Sequence, residues 1–184
     1  MRKLFLASVM VGVFTAVAAA QVPTSGNVFF GYSYYNTNPS GIDRVSTNGW
    51  EASVEGKVLP FIGIVGDFSA YYGSEDFPAV CSGVGLCIPS YSANIAEHNY
   101  LFGPRASVSV GKFRPFAEGM IGVAHINANA AGSDNSFASA VGGGIDYRLL
   151  RILAWRFEGD YVHAHLFNIS ENNVRLSTGI VVRF

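Results

Sequence analysis

The sequence is poor in charge, and the little charge that it has is nearly balanced. Only 14% of its 184 residues are charged, against roughly 25% in an average soluble domain. The formal net charge of −1 excludes a protein built around a basic nucleic-acid footprint. Disorder is also excluded, because 49% of the residues are hydrophobic.

Long apolar runs are missing everywhere except at the N-terminus. Arg2 and Lys3 precede an uncharged run that ends in Ala18, Ala19 and Ala20. A basic start, an apolar centre and small residues at the exit are typical of a cleaved secretory signal peptide. We therefore predict a signal peptide over residues 1–20, one mature domain over residues 21–184, and no later helical span.

Glycine and aromatic residues are abundant, with 21 Gly, 14 Phe and 9 Tyr. Apolar residues recur with a period of two, as where Val28, Phe30 and Tyr32 alternate with Gly31 and Ser33. Strict alternation is the pattern of a strand with two different faces. It predicts eight strands, at residues 27–36, 49–58, 61–72, 98–110, 115–126, 137–148, 152–165 and 174–184.

The connectors between these strands alternate in length. Those at 59–60, 111–114 and 149–151 are short, whereas those at 37–48, 73–97, 127–136 and 166–173 are long and polar. Short turns at one end and long loops at the other are typical of an up-and-down barrel. The predicted fold is all-β, an eight-stranded antiparallel up-and-down transmembrane β-barrel.

Lysine is scarce, which bears on which face of the strands is inside. After residue 20 the only lysines are Lys57 and Lys112, whereas a water-facing surface usually carries many. Arginine is favoured where charges must pair in a confined space. The polar face is therefore predicted to line a packed lumen and the apolar face to contact lipid; a soluble lipocalin-like barrel would be the reverse. The predicted lumen charges are Glu51, Glu55, Lys57, Asp67, Arg105, Glu118, Asp146, Arg148, Arg156, Glu158, Asp160, Arg175 and Arg183.

These charges are expected to plug the barrel, because eight strands enclose a bore only wide enough for side chains. At mid-height we expect a network of Arg105, Glu118, Arg156 and Glu158, with Arg175 reaching Glu51 or Asp160. Small residues on the same faces would leave room for these side chains: Gly31, Ser33, Ser53, Gly122, Gly144 and Gly179. The alternative is a narrow channel.

Aromatic residues near the predicted strand ends suggest two interfacial girdles. The loop-side girdle would contain Tyr34, Trp50, Tyr72 and Tyr161, and the turn-side girdle Tyr147, Trp155 and Phe184.

The last eight residues carry a family resemblance. Ser177, Gly179, Val182 and the final Phe184 resemble the terminal assembly signal of Gram-negative outer-membrane barrels. The mature chain is similar to the small eight-stranded barrels of the OmpA-like and OmpX-like type, without a C-terminal peptidoglycan-binding domain. The resemblance implies an outer-membrane location, a surrounding of outer-membrane lipid and lipopolysaccharide, and recognition by the barrel-assembly machinery.

Cysteine is nearly absent: Cys81 and Cys87 both fall in the longest loop. An even number of cysteines in an exported chain favours a disulfide between them. A redox-active pair is the alternative, but the spacing is not that of a CxxC motif.

Histidine offers only weak indications of a site. His125, His163 and His165 could ligate a metal or serve as interfacial aromatic residues, and no carboxylate or cysteine completes a recognisable metal site. A lipid-modifying enzyme could pair a lipid-facing histidine with a serine such as Ser139. We predict no metal, no cofactor and no enzymatic activity.

The long loops are acidic, with Asp43, Glu75, Asp76, Glu97, Asp134 and Glu171 against Arg44. Such loops disfavour nucleic acid and other polyanions as ligands. The sequence therefore predicts a monomeric barrel with a structural or adhesion-like role, in which four loops meet an extracellular ligand that the sequence does not identify.

Overall fold

The computed structural model describes residues 25–37, 45–77, 80–81, 87–88, 91–128, 132–166 and 169–184. The N-terminal segment predicted to be a signal peptide lies outside these residues. Within them there are ten strands: β1 Gly26–Thr37, β2 Val45–Lys57, β3 Ile62–Phe77, β4 Val80–Cys81, β5 Cys87–Ile88, β6 Tyr91–Ser107, β7 Phe113–Ala128, β8 Gly132–Arg148, β9 Leu153–Leu166 and β10 Ile169–Arg183. No helix among the described residues has the length and apolar character to span a membrane.

Eight of the strands close into one antiparallel barrel, and β4 and β5 form a separate two-stranded sheet. Each long strand pairs with its neighbour along the chain, and β1 closes the barrel by pairing with β10. Reciprocal backbone bonds between Gly26 and Phe184, with N···O distances of 2.9 and 3.1 Å, extend this seam by one more residue pair. The predicted eight-stranded up-and-down barrel is confirmed.

The three short turns lie together at the end we call the turn end. Two of them are closed by backbone bonds from Val58 N to Ile62 O (3.0 Å) and from Leu149 N to Leu153 O (3.0 Å). In the third, Gly111 has a φ of 62°, a conformation that residues with a Cβ rarely adopt. The opposite end, where the long connectors lie, is the loop end.

The strands extend further toward the loop end than the sequence predicted. The segment 73–97 was predicted to be a loop, but most of it continues β3 and β6, whose register runs on to Phe77 opposite Tyr91. Backbone pairing does not depend on side-chain polarity, so a ladder continues through Ser74, Glu75 and Asp76 although their pattern is that of a loop. Strands of up to 17 residues exceed the 9–11 needed to cross a bilayer.

Where the side chains of the long strands are described, buried and more exposed residues alternate in the predicted sense, as in β1 and β9. Phe30 and Phe157 are 62% and 59% exposed on the outer wall, whereas Glu51 and Arg156 are fully buried inside. This alternation confirms that the apolar face points outward and the charged face inward. The seven aromatic residues of the predicted girdles all lie on the outward face, with Tyr34 and Trp50 half-buried there.

Candidate functional site

The lumen brings together every charged residue predicted for the network. Glu51, Arg105, Glu118, Arg156, Glu158, Asp160 and Arg175 are each at most 5% exposed, although they come from five different strands. Inward-facing positions of all these strands meet in one bore because the sheet is closed. We call these seven residues, together with Asp67, the ionic network.

Arg175 on β10 is the most heavily paired member of the ionic network. Its Nη1 lies 2.7 Å from Asp67 Oδ1, and its Nη2 lies 2.7 Å from Asp160 Oδ2. Glu51 Oε2 is 3.6 Å from its Nε. The expected contacts of Arg175 with Glu51 and Asp160 therefore both form, and Asp67 adds a third.

Glu158 on β9 links the remaining arginines of the ionic network. Its carboxylate oxygens lie 3.5 Å from Arg105, 3.5 Å from Arg156 and 3.7 Å from Arg175. Arg105 also donates through its Nε to Glu118 at 2.5 Å. Charges removed from water need partners to offset their desolvation, and here Glu158 and Arg175 each face three or more groups of opposite charge.

Two aromatic rings that were not predicted to face the lumen pack against these arginines. The guanidinium of Arg105 lies 4.3 Å from the ring centroid of Phe116, and that of Arg156 lies 4.6 Å from the same ring and 5.0 Å from Phe29. Arginine and aromatic faces attract each other, most strongly when water is excluded. On their own strands, Phe29 and Phe116 lie on the same face as the inward polar residues. This pattern could have predicted that both rings face the lumen.

Glycines make room for the network by allowing close contact between strands. At Gly142 an added Cβ would collide with the Asp160 carboxylate and with the backbone of Gly159. Gly31 and Gly179, which face each other across β1 and β10, likewise have no space for a side chain. These close contacts agree with the prediction that small inward residues leave space for the long charged side chains.

Beyond the ionic network, toward the loop end, the lumen becomes largely apolar, although Glu97, Asn99 and Asn173 are also buried there. Along β7 the inward residue after Glu118 is Met120, and along β9 the inward residue after Asp160 is Val162, both nearly inaccessible to solvent. We call this region the loop-side layer; it contains Tyr35, Tyr71, Leu101, Met120, Ala124, Ala138, Ala140, Val162 and Ala164.

Two tyrosines lie at the centre of the loop-side layer. The rings of Tyr35 and Tyr71 stack with centroids 4.4 Å apart and an interplanar angle of 16°. Their hydroxyls are satisfied: Asn173 Nδ2 donates to Tyr35 Oη at 2.8 Å, and Ser33 Oγ lies 3.1 Å from Tyr71 Oη. Buried tyrosines generally need such partners. This apolar layer was absent from the sequence prediction.

Three charged residues lie where the sequence did not place them. Arg148 was predicted to line the lumen, but it is the last residue of β8 and its exposed side chain donates to Gly111 O at 3.0 Å. Arg114 and Glu97 were assigned to a turn and a loop and are instead buried in the lumen. The reason is the same for both, since β7 and β6 begin earlier than predicted.

Three carboxylates of the ionic network lie close enough to hold a metal ion. Ligand atoms of Glu118, Glu158 and Asp160 are within 4.8 Å of one another. Arg105 and Arg175 already bind these carboxylates, at 2.5 and 2.7 Å. Arg105 and Arg175 therefore already supply the positive charge that a metal ion would bring to these carboxylates.

His98, His125 and His163 lie on the outer wall toward the loop end. His98 and His125 are cross-strand neighbours with ring centroids 6.3 Å apart, and His125 Nδ1 is 2.7 Å from Asn135 Oδ1. His163 Nδ1 lies 2.9 Å from Asn172 Oδ1, and Ser139 pairs with His163 across β8 and β9. The structure thus places Ser139, His163 and Asn172 in one row; the side chain of His165 is outside the described part.

The residues of the predicted assembly signal have two environments. Ser177 faces the lumen, where its hydroxyl donates to Glu51 Oε2 at 2.5 Å, and Gly179 packs against β1. Val182 and Phe184 point outward and are 45% and 62% exposed.

Cys81 and Cys87 are cross-strand partners in the small β4–β5 sheet. Such partners are close enough in an antiparallel pair for a bridge. The side chain of Cys81 lies outside the described part, so the disulfide stays a prediction.

Comparisons with known proteins place the architecture among small outer-membrane barrels. No family model matches the sequence, and no curated protein matches it. The solved structure of Ail, the attachment invasion locus protein of Yersinia pestis, is similar with a TM-score of 0.58 and 15% identity over 87% of this chain and 98% of that one. Neisserial surface protein A has a TM-score of 0.67 and 10% identity over 86% and 97% of the two chains.

A third similar structure is the N-terminal β-barrel domain of Pseudomonas aeruginosa OprF, with a TM-score of 0.50 and 11% identity over 89% of this chain and all of that domain. At these identities the similarity concerns the fold. The chain has the fold of a small outer-membrane β-barrel, and its role must be inferred from its own residues.

Proposed function

We propose that this protein is an outer-membrane barrel with a plugged lumen and a structural or surface-interaction role that its loop end performs. The observation that carries the proposal is the filled bore: the ionic network and the loop-side layer follow each other along the same strands. A barrel without a path through it presents only its wall and its two ends to other molecules. The wall meets lipid, and the long connectors offer the larger variable surface.

The outer wall supports a location in a lipid bilayer. Large apolar side chains such as Phe102, Phe137 and Val141 are 58%, 64% and 62% exposed there. Exposed apolar area on this scale is unfavourable in water and favourable in lipid. Export would depend on the signal peptide, with cleavage before Gln21.

The location is tested by fractionation and by electrophoresis of the full chain expressed in a Gram-negative host. We expect recovery in the outer-membrane fraction, a mature N-terminus at Gln21, and faster migration of the unheated than of the boiled protein, because a closed barrel has no strand edge for detergent to open. Recovery in the soluble periplasm with identical mobilities would instead indicate a soluble lipocalin-like barrel.

The plug is tested by planar-bilayer recording of the purified protein. We expect no steady current in the wild type, because several lumen charges would have to lose their partners to admit an ion. Steady, ion-selective wild-type current at ordinary voltages would favour the narrow channel instead.

The partners we propose are outer-membrane lipid and lipopolysaccharide around the wall, the barrel-assembly machinery during insertion, and an extracellular ligand at the loops, with the barrel acting as a monomer. Replacing each long connector in turn by a short Gly-Ser turn should change surface binding without changing the amount of barrel. Binding that survives all four replacements would contradict a loop ligand.

Assembly is tested at Phe184. We expect Phe184→Asp to lower the level of barrel in the outer membrane far more than Phe157→Ala does, because the terminal residue would be read by the assembly machinery. Phe157 is the matched control, since it has a similar exposure on the same wall, 59% against 62%. Equal losses would mean that residue 184 acts through stability alone.

A second candidate function, lipid modification, is favoured by the row of Ser139, His163 and Asn172 on the outer wall. A serine hydrolase also needs donors for its oxyanion, and around Ser139 β8 pairs with both β7 and β9, which engages its backbone N–H groups there. We therefore propose that the protein is not an enzyme. Release of fatty acid from outer-membrane lipid by the wild type, lost in Ser139→Ala, would reverse this proposal.

A further inference from the structure

A cavity of about 640 Å³ opens at the turn end of the barrel, and neither the plug nor the proposed role uses it. We call it the cup. Its polar lining comes from Asn27, Lys57, Ser107, Arg114 and Arg183, and Phe61 contributes to its apolar rim. Volumes of this size are typical of sites for small molecules.

Lys57, Arg114 and Arg183, the three cations of the cup, face fewer carboxylates than would balance their charge. Lys57 Nζ and Arg114 Nη2 approach the same oxygen, Glu55 Oε1, at 2.9 and 2.8 Å. Their side chains are 16% and 10% exposed, whereas that of Glu55 is fully buried beneath them. A single carboxylate that faces two cations leaves positive charge directed into the cup.

Arg183 is the least satisfied of the three. Its Nε and Nη2 are buried and have no hydrogen-bond partner among the described residues. Asp146 Oδ2 is 3.5 Å from Nη2, but that carboxylate also faces Arg156 and Arg114. Arg183 is also the most exposed of the three, since 21% of its side chain is accessible to solvent, and its charge therefore reaches the cup.

The surroundings of the cup reinforce its positive charge. The exposed Lys112 and Arg148 also belong to the turn end, against Glu55 and Asp146. Cations are thus in excess at this end, while the predicted loops at the other end are acidic. A concave surface with an excess of one charge concentrates ions of the opposite sign.

We propose that the cup binds a phosphate-type oxyanion through the positive charges of Lys57, Arg114 and Arg183, which all line it. Such a group has two sources at this end of the barrel, a soluble phosphomonoester and the head group of an anionic phospholipid in the adjacent leaflet. The site does not depend on the proposed role of the loops.

The test is isothermal titration calorimetry of the purified full barrel in a zwitterionic detergent, with glycerol 1-phosphate as the probe and sodium chloride at equal ionic strength as the reference. We expect saturable binding that weakens at least about tenfold in Arg183→Gln, because the most exposed of the three cations of the cup is lost. Arg183→Lys should be intermediate, since it retains the charge in a different geometry.

Arg151→Gln is the matched control, because it removes one exposed cation of the same end outside the cup, and it should bind within about twofold of the wild type. Lys57→Gln is a second variant, should Arg183→Gln fail to assemble. The gel-mobility shift on boiling reports whether each variant is folded.

The two sources are separated in nanodiscs of phosphatidylcholine with and without phosphatidylglycerol. If the head group occupies the cup, phosphatidylglycerol weakens the apparent affinity for glycerol 1-phosphate in the wild type; if only soluble phosphates enter, the affinity is the same in both. The proposal is wrong if the wild type shows no saturable binding in detergent and in phosphatidylcholine, or if folded Arg183→Gln and Lys57→Gln bind like the wild type.

Discussion

The ionic network and the loop-side layer fill the same bore with opposite chemistry. In the ionic network, Arg175 holds Asp67 and Asp160 at 2.7 Å, and these charges are almost inaccessible to solvent. In the loop-side layer, stacked Tyr35 and Tyr71 and the aliphatic Met120 close the bore, and only a few polar groups need partners.

This difference predicts how the stability of each region responds to the loss of one side chain. Charges removed from water are stable only while every partner is present, so one deletion leaves other charges unpaired. Apolar packing loses only the area and the contacts of the deleted atoms. The ionic network should therefore be the more fragile of the two regions, although both are deeply buried.

The largest expected effect is that of Arg175→Met. It leaves Glu51, Asp67 and Asp160 without their shared cation, and we expect a loss of about 3–5 kcal/mol in the free energy of unfolding. Urea unfolding in lipid vesicles, followed by tryptophan fluorescence, measures it. Arg148→Gln is the control, since this exposed arginine should change stability by less than about 0.5 kcal/mol. Equal effects of the two variants would mean that lumen pairing contributes nothing.

A smaller effect is expected for Met120→Ala in the loop-side layer. The deletion leaves a cavity among buried side chains and should cost about 2–4 kcal/mol. The same variant should remain silent in planar-bilayer recording, because the ionic network still blocks the bore. If Met120→Ala conducts a current and Arg175→Met does not, the loop-side layer is the barrier to ions.

Tyr71→Phe should have a smaller effect again, about 1 kcal/mol, because it removes one hydroxyl whose partner is Ser33 and preserves the stacked ring. Ser33 has a second partner in Ser177 at 2.8 Å, so it is not left unsatisfied. Thermal unfolding of the variant beside wild type measures the shift. A loss as large as that of Arg175→Met would contradict the distinction between the two regions.

The smallest effect is expected on the outer wall. Val141→Ala removes two methyl groups from a side chain that is 62% exposed, and since its neighbours in a bilayer are fluid lipid chains no lasting cavity forms. We expect a change below about 1 kcal/mol in vesicles, in the same urea experiment. A cost matching that of Met120→Ala would mean that this surface packs against protein.

The alternation of residues made the barrel predictable. Because side chains on a strand alternate between faces, the sequence pattern alone assigned Phe30 and Phe157 to the wall and Arg105, Glu118 and Arg175 to the lumen. The partners were less predictable: Arg175 reaches Asp67 on β3, which is adjacent to neither β10 nor β9, and distance across a bore is not encoded in periodicity.

The sequence by itself determined the number of barrel strands, the face that points outward and most of the charges inside, because period and charge are local properties of a strand. Only the tertiary structure decided strand ends, cross-bore contacts and the two kinds of filling. Backbone pairing extended β3 and β6 through a polar segment and turned Glu97 inward, and the stagger of the closed sheet set Tyr35 against Tyr71. These features depend on neighbours that are distant in sequence and become adjacent only when the barrel closes.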